Sequence, residues 1–117
     1  MAFDFESLEF TDFTKLPLEP TGRKGVSHYV LAKSSDGVGI VHVAEFEPGS
    51  DTIAEGPQIH DFWEYVFILE GSMIDLTLNQ EFQKGTVAVR NPGMPHGPWK
   101  IPASGCRLFE IRSKNPL

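Results

Sequence analysis

Gln58, His60, Glu64 and His96 are the residues of this sequence whose types and spacing could do chemistry. Two neutral imidazoles, one carboxylate and an amide oxygen form a mixed nitrogen and oxygen donor set. Such a set suits one divalent ion (Fe, Mn, Ni or Zn) and leaves coordination positions open for water or substrate. The ion could polarise a small oxygenated molecule as a Lewis acid. Taken singly, each residue has a plainer reading: a hydrogen-bonded strand histidine, an inward ion-pair partner, a loop amide. His28 and His42 are read in that plainer way. The chemistry depends on convergence.

Residues two apart in a strand share a face and lie about 6.6 Å apart along it. Gln58, His60, Phe62, Glu64, Val66 and Ile68 fall on one face, and Asp61, Trp63, Tyr65, Phe67 and Leu69 on the other. If Val66 and Ile68 point into a core, Glu64, His60 and Gln58 point inward too. A buried imidazole and carboxylate are costly unless paired or metal-bound. His96 follows the bend Asn91-Pro92-Gly93-Met94-Pro95, which would set it on a neighbouring strand.

A substrate pocket would lie beside these residues. Its mouth would include Phe62, Met94 and Trp99, of which Phe62 and Met94 suit an apolar or aromatic ligand. Arg90 could pair with a ligand carboxylate or lie on the barrel surface. Glu110 shares a face with Cys106 and Leu108 and could point inward behind the ligands. His42 shares a face with Ala44 and Phe46, so it could lie near the pocket without touching metal. Cys106 reads as a small apolar core residue, not a nucleophile.

Short strands must position these groups. The sequence predicts strands over Val26 to Ala32, Val38 to Glu47, Phe62 to Leu69, Ser72 to Leu78, Thr86 to Arg90 and Cys106 to Arg112. Pro48-Gly49, Glu70-Gly71 and Asn91-Pro92-Gly93 end three of them, and Asn79 to Gln83 read as a polar turn. No stretch has a helical period. The pattern is all-β: a sandwich, barrel or jelly roll. Residues 1–24, with Pro17 and Pro20, read as an N-terminal arm on the barrel or on a partner subunit; residues 25–117 read as the barrel.

Composition narrows the function classes. A chain of 117 residues suggests one domain. Its net charge of −6 disfavours nucleic acid, since Arg23-Lys24 is the nearest thing to a basic patch. Cys106 is the only cysteine, which excludes an intrachain disulfide and fits a cytoplasmic setting. The start MAFDFESLEF does not read as a signal peptide, and no apolar run reaches the length expected of a membrane span.

The same residues resemble the two cupin motifs. Gln58-Ile59-His60, then three residues, Glu64, six residues and Gly71 follow the spacing of the first. Gly85, then five residues and Asn91-Pro92-Gly93-Met94-Pro95-His96 follow the second. A nearer likeness is to the ChrR-like cupin group, through Arg90-Asn91-Pro92, Gly105-Cys106, Leu16-Pro17 and Gly25-Val26. The regulatory role of that group belongs with a helical sigma-binding domain and is not implied. The resemblance implies a double-stranded β-helix (jelly-roll) barrel, commonly a homodimer. It departs from the motifs at Gln58 in place of the first histidine, Asn91 in place of a proline and Lys100 in place of an asparagine. Some sugar-phosphate isomerase cupins ligate through Gln-x-His in this way. The weaker amide donor would shift preference toward Mn²⁺ or Fe²⁺. The implied function is metal-dependent chemistry on a small diketone- or carboxylate-containing molecule, by a dioxygenase, isomerase or lyase. The alternative is a non-catalytic module that binds a small ligand or senses metal.

Overall fold

Alternation of apolar and polar residues sends the chain into strands joined by glycine-marked turns. In the structure, a computed structural model that describes residues 7–117, these are β1 (Glu19–Pro20), β2 (Val26–Lys33), β3 (Ile40–Phe46), β4 (Trp63–Asp75), β5 (Gln80–Gln83), β6 (Val87–Arg90), β7 (Trp99–Lys100) and β8 (Cys106–Ser113). All pair antiparallel. The order is β1-β2-β3-β8-β4-β5, with β6 and β7 also hydrogen-bonded to β4. The first half of β4 lies between β6 and β8, and its second half pairs with β5 and β7. One strand thus serves both layers of a jelly-roll barrel.

Several predicted boundaries fall elsewhere, two of them with structural consequences. Glu70-Gly71 was expected to end a strand, but β4 runs through it. The register with β8 shifts between Ile68 and Glu70, and Gly71 takes φ 72°. A Cβ on Gly71 would lie 1.9 Å from the Gly105 carbonyl oxygen, so only glycine lets the two backbones meet there. The bulge also exchanges the inward set. Glu64, Val66 and Ile68 are buried before it, and Met73 and Asp75 after it. The predicted polar turn over Asn79 to Gln83 is instead mostly strand β5. The reversal comes earlier: Asp75 Oδ1 accepts from the Thr77 and Leu78 amides at 2.9 and 3.0 Å, and Asn79 sits at φ 53°.

The core packs Phe46, Val66, Ile68, Met73, Trp99 and Leu108 together with Cys106. Burial pushes the Cys106 thiol up to about 12, in keeping with an inert apolar role. Residues 1–6 of the predicted arm lie outside the described residues. The remainder of the arm includes a 3₁₀ turn, Phe13–Lys15, whose Phe13 ring meets Tyr29 edge-on at 5.3 Å, and then β1, which pairs with β2.

Candidate metal centre

Glu64 is placed by the pleat of β4, on the inward face with Val66 and Ile68, and is 2% exposed. Its cross-strand neighbours are Arg90 on β6 and Arg112 on β8. Arg90 Nη1 donates to Glu64 Oε1 at 2.7 Å, and Arg112 Nε lies 3.7 Å from Oε2.

His96 follows the predicted bend but lies on no strand: it sits between β6 and β7, held by a single bridge to Gln58. Its amide donates to the Gln58 carbonyl at 3.0 Å and its carbonyl accepts from the Gln58 amide at 2.7 Å. The ring Nδ1 lies 3.3 Å from the Met94 carbonyl oxygen, and Nε2 lies 3.6 Å from Glu64 Oε1. A hydrogen on Nδ1 donated to Met94 leaves the Nε2 lone pair facing the carboxylate.

His60 arrives differently from the expectation. The strand face predicted to run from Gln58 through Ile68 begins only at Trp63, and Gln58 to Phe62 form an irregular lead. Pro57, which has no amide hydrogen, stands at the head of this segment. What fixes the lead is the single bridge between Gln58 and His96, together with the Gly93 amide donating to the His60 carbonyl at 2.8 Å. The His60 ring stacks on Phe62 at 4.4 Å, and its Nε2 reaches 3.7 Å from Glu64 Oε2.

One ligand atom from each of His60, Glu64 and His96 lies within 4.8 Å of the others. Donors bound at about 2.1 Å to a shared ion stand roughly 3 to 3.5 Å apart, close to the two His–Glu separations. His60 Nε2 is buried with no hydrogen-bond partner. A buried polar atom left unpaired is costly, and an ion between the three side chains would satisfy it.

Electrostatics favour the donor forms of both imidazoles. Burial, then the Arg90 charge, lowers His96 to about 4. Burial, then Arg112, lowers His60. Burial and the proximity of Glu110 raise Glu64 to about 7, although Arg90 pulls the other way. Burial also pushes Glu110 up, but the hydrogen bond from His42 and the charges of Arg112 and His42 overcome it and hold Glu110 well below the usual range. Of the two acids, Glu64 therefore carries the shared proton when no ion is bound.

The remaining candidates fall around this trio. Gln58 lines the same cleft as Glu64 and His96, and its Nε2 donates to Glu55 Oε1 at 3.0 Å. Glu110 and His42 are both buried, with His42 Nε2 2.6 Å from Glu110 Oε1. His42 Nδ1 in turn lies 2.8 Å from His28 Nδ1. Trp99 is a buried wall residue, Met94 is exposed, and Phe62 lies between the His60 ring and the Arg112 guanidinium. Arg112 was not anticipated. It bridges Glu110 at 2.9 Å and Glu64 at 3.7 Å. Its place two residues beyond Glu110, on the face of Leu108 and Glu110, was the available signal.

An antiparallel jelly roll with two imidazoles and a carboxylate converging inside it defines a protein of the RmlC-like cupin fold. Solved structures share that fold. An RmlC-like cupin from Shewanella frigidimarina matches with TM-score 0.70 and 18% identity, covering 93% of each chain. An acetylacetone dioxygenase from Acinetobacter johnsonii matches with TM-score 0.66 and 14% identity, over 92% of this chain and 73% of that one. The Rhodobacter sphaeroides complex of SigE with the anti-sigma ChrR matches with TM-score 0.64 and 18% identity, over 87% of this chain and 51% of that one. No family model matches the sequence, and no curated protein matches it.

Proposed function

We propose that this chain is a metal-dependent cupin that binds a small diketone- or carboxylate-containing molecule at one divalent ion held by His60, Glu64 and His96. The observation that carries the reading is His60 Nε2, buried, unpartnered and 3.7 Å from Glu64. Gln58 is the fourth donor through Oε1, a reading supported by the bond that turns its amide nitrogen toward Glu55. The ion would supply Lewis-acid polarisation of a bound oxygen. The protein's own contribution is orientation: Arg90 and Arg112 fix the Glu64 carboxylate, and Met94 fixes the His96 ring. The enzyme reading (dioxygenase, isomerase or lyase) draws support from the name of the Acinetobacter relative, whose substrate is a diketone. The test is elemental analysis of untagged protein beside a His60→Ala variant. Stoichiometric metal in the parent and none in the variant is expected; equal metal in both would overturn the site.

A second reading is a non-catalytic ligand-binding or metal-sensing module. It is favoured by the small cleft beside Glu64 and His96, about 30 Å³, and by the guanidinium already bonded to Glu64. Oxygen consumption by the iron-loaded protein across a panel of diketones separates the two. A rate no higher than an iron-only blank would favour the module.

We also propose that the chain acts as a homodimer in the cytoplasm, with residues 1–24 as an arm on the barrel. Dimerisation is supported by two uncharged cross-strand rows on the outer sheet face: Val89, Tyr65, Ile111, Val41 and Val87, Phe67, Phe109, the second row ending at Val43, which is already buried within the chain. Phe67, Val87 and Val89 stand exposed there. The cytoplasmic setting is supported by the single cysteine, and no helix among the described residues is long and apolar enough to cross a membrane. Sedimentation of Val87→Lys beside the parent tests the interface: a dimeric parent and a monomeric variant are expected.

A further inference from the structure

A cavity of about 160 Å³ lies against the metal centre, walled by Val66, Ile68, Met73, Phe82, Ala88 and Trp99. We propose that it seats the apolar group of an anionic ligand: a monocarboxylate bearing a ring or short aliphatic chain of about six carbons. The inference rests on the proposed metal site, which it deepens by naming the substrate class.

Size comes first. An apolar cavity of about 150 Å³ stays dry and accepts benzene. Side chains lining an empty space lose dispersion contacts that an apolar guest restores. The wall also offers a polar guest little. Asp75 is buried in it, but its carboxylate already accepts from the amides of Thr77, Leu78 and Gly97. Thr86 Oγ1 donates to the Gln83 carbonyl at 2.7 Å. Both are committed to backbone partners, so hydroxyls or amides on the guest's tail would be desolvated for little return.

The opposite end has the other character. His96 and Arg90 line the cavity and also the cleft that Glu64 and Gln58 line. The Arg90 guanidinium bonds Glu64 and lies 5.7 Å from the Trp99 ring centroid, so it spans from the ligand carboxylate to the cavity wall. A guanidinium has five N–H donors, and one bond to Glu64 leaves capacity for a second oxyanion. One end is thus cationic and the other apolar, complementary to an amphiphilic acid. Exposed Leu78, Val87 and Met94 line the cavity as well and give it an apolar rim.

The test is calorimetric titration of straight-chain carboxylates from acetate to octanoate into the protein with and without zinc. Zinc uptake is measured separately, without carboxylate. Affinity should rise up to about fourfold per methylene and level off near hexanoate, the gain expected for burying each methylene. Ala88→Leu, which fills the cavity, should take zinc like the parent yet lose at least tenfold in hexanoate affinity. Phe82→Ala, which enlarges it, should move the plateau to longer chains. A flat series in the parent overturns the proposal. So does hexanoate binding unchanged in both variants. A rising series without zinc uptake overturns the metal site and leaves the cavity assignment standing, with Arg90 as the anchor.

Discussion

Arg90 and Glu64 face each other across the β4–β6 ladder, joined at 2.7 Å, and the carboxylate so held is the one between the two imidazoles. The arginine acts on the site in two opposing ways. It orients Glu64 and lowers the carboxylate's hold on its proton, and it places a positive charge beside any ion bound there. We expect the first to win at neutral pH, because burial and Glu110 already push Glu64 up to about 7. Arg90→Gln should therefore weaken zinc binding by about tenfold at pH 7, within the range for partners that orient metal ligands. The difference should narrow by pH 9, where Glu64 is ionised in both proteins. Chelator competition at the two pH values measures this. Tighter binding by the variant would show that the guanidinium competes with the ion.

On the proposed ligand set, Gln58 is the donor that sets the strength of the site. Its backbone is locked to His96 and its amide nitrogen to Glu55. Gln58→His replaces a weak oxygen donor by imidazole and should raise zinc affinity by about tenfold or more. The same titration reads it. Unchanged affinity would take residue 58 off the metal.

The pH dependence follows from the direction of each shift. His96, lowered to about 4, is neutral from pH 6 to 8, and the lowering of His60 by burial favours its neutral form, so neither ring competes much with a cation. Glu64, raised to about 7, must lose a proton before it ligates. Zinc affinity should thus fall by up to tenfold per pH unit below about 7 and stay nearly flat above it. For metal-free stability the sign is reversed. An acid whose folded value is raised contributes stability below its unfolded value of 4.5, and that contribution is lost as pH rises to about 7. Glu64→Gln should remove both trends. Thermal melts and chelator titrations between pH 5 and 8 would show them.

How much was legible in the sequence varies along the chain. Period-two alternation in Glu64, Val66 and Ile68 marked the inward face of β4, because burial and pleat share that period. The bend before His96 was legible from Asn91-Pro92-Gly93, whose backbone preferences are local. The route of His60 was not, since a single bridge and one Gly93 amide fix it from a distant loop. Nor was the bulge at Gly71, which answers to the backbone of Gly105, remote in sequence. Arg112 escaped for a related reason: its partners Glu64 and Glu110 identify it only once β4 and β8 are in register.

His42 and Glu110 form a deeply buried pair, with side chains 5% and 8% exposed and atoms 2.6 Å apart. The pair lies behind the metal centre, linked to it through Arg112. Removing one partner leaves a buried carboxylate short of its main hydrogen bond, which costs about 3 to 5 kcal/mol. His42→Leu should therefore lower unfolding free energy by about that amount in urea titrations. The double variant His42→Leu with Glu110→Leu removes the stranded charge together with its partner and should recover most of the loss. Because Arg112 would then lose its anchor, the double variant should still bind zinc more weakly than the parent. Recovery of stability together with parental zinc affinity would show that the pair is independent of the metal centre. No recovery would mean that the loss in His42→Leu came from repacking and not from an orphaned charge.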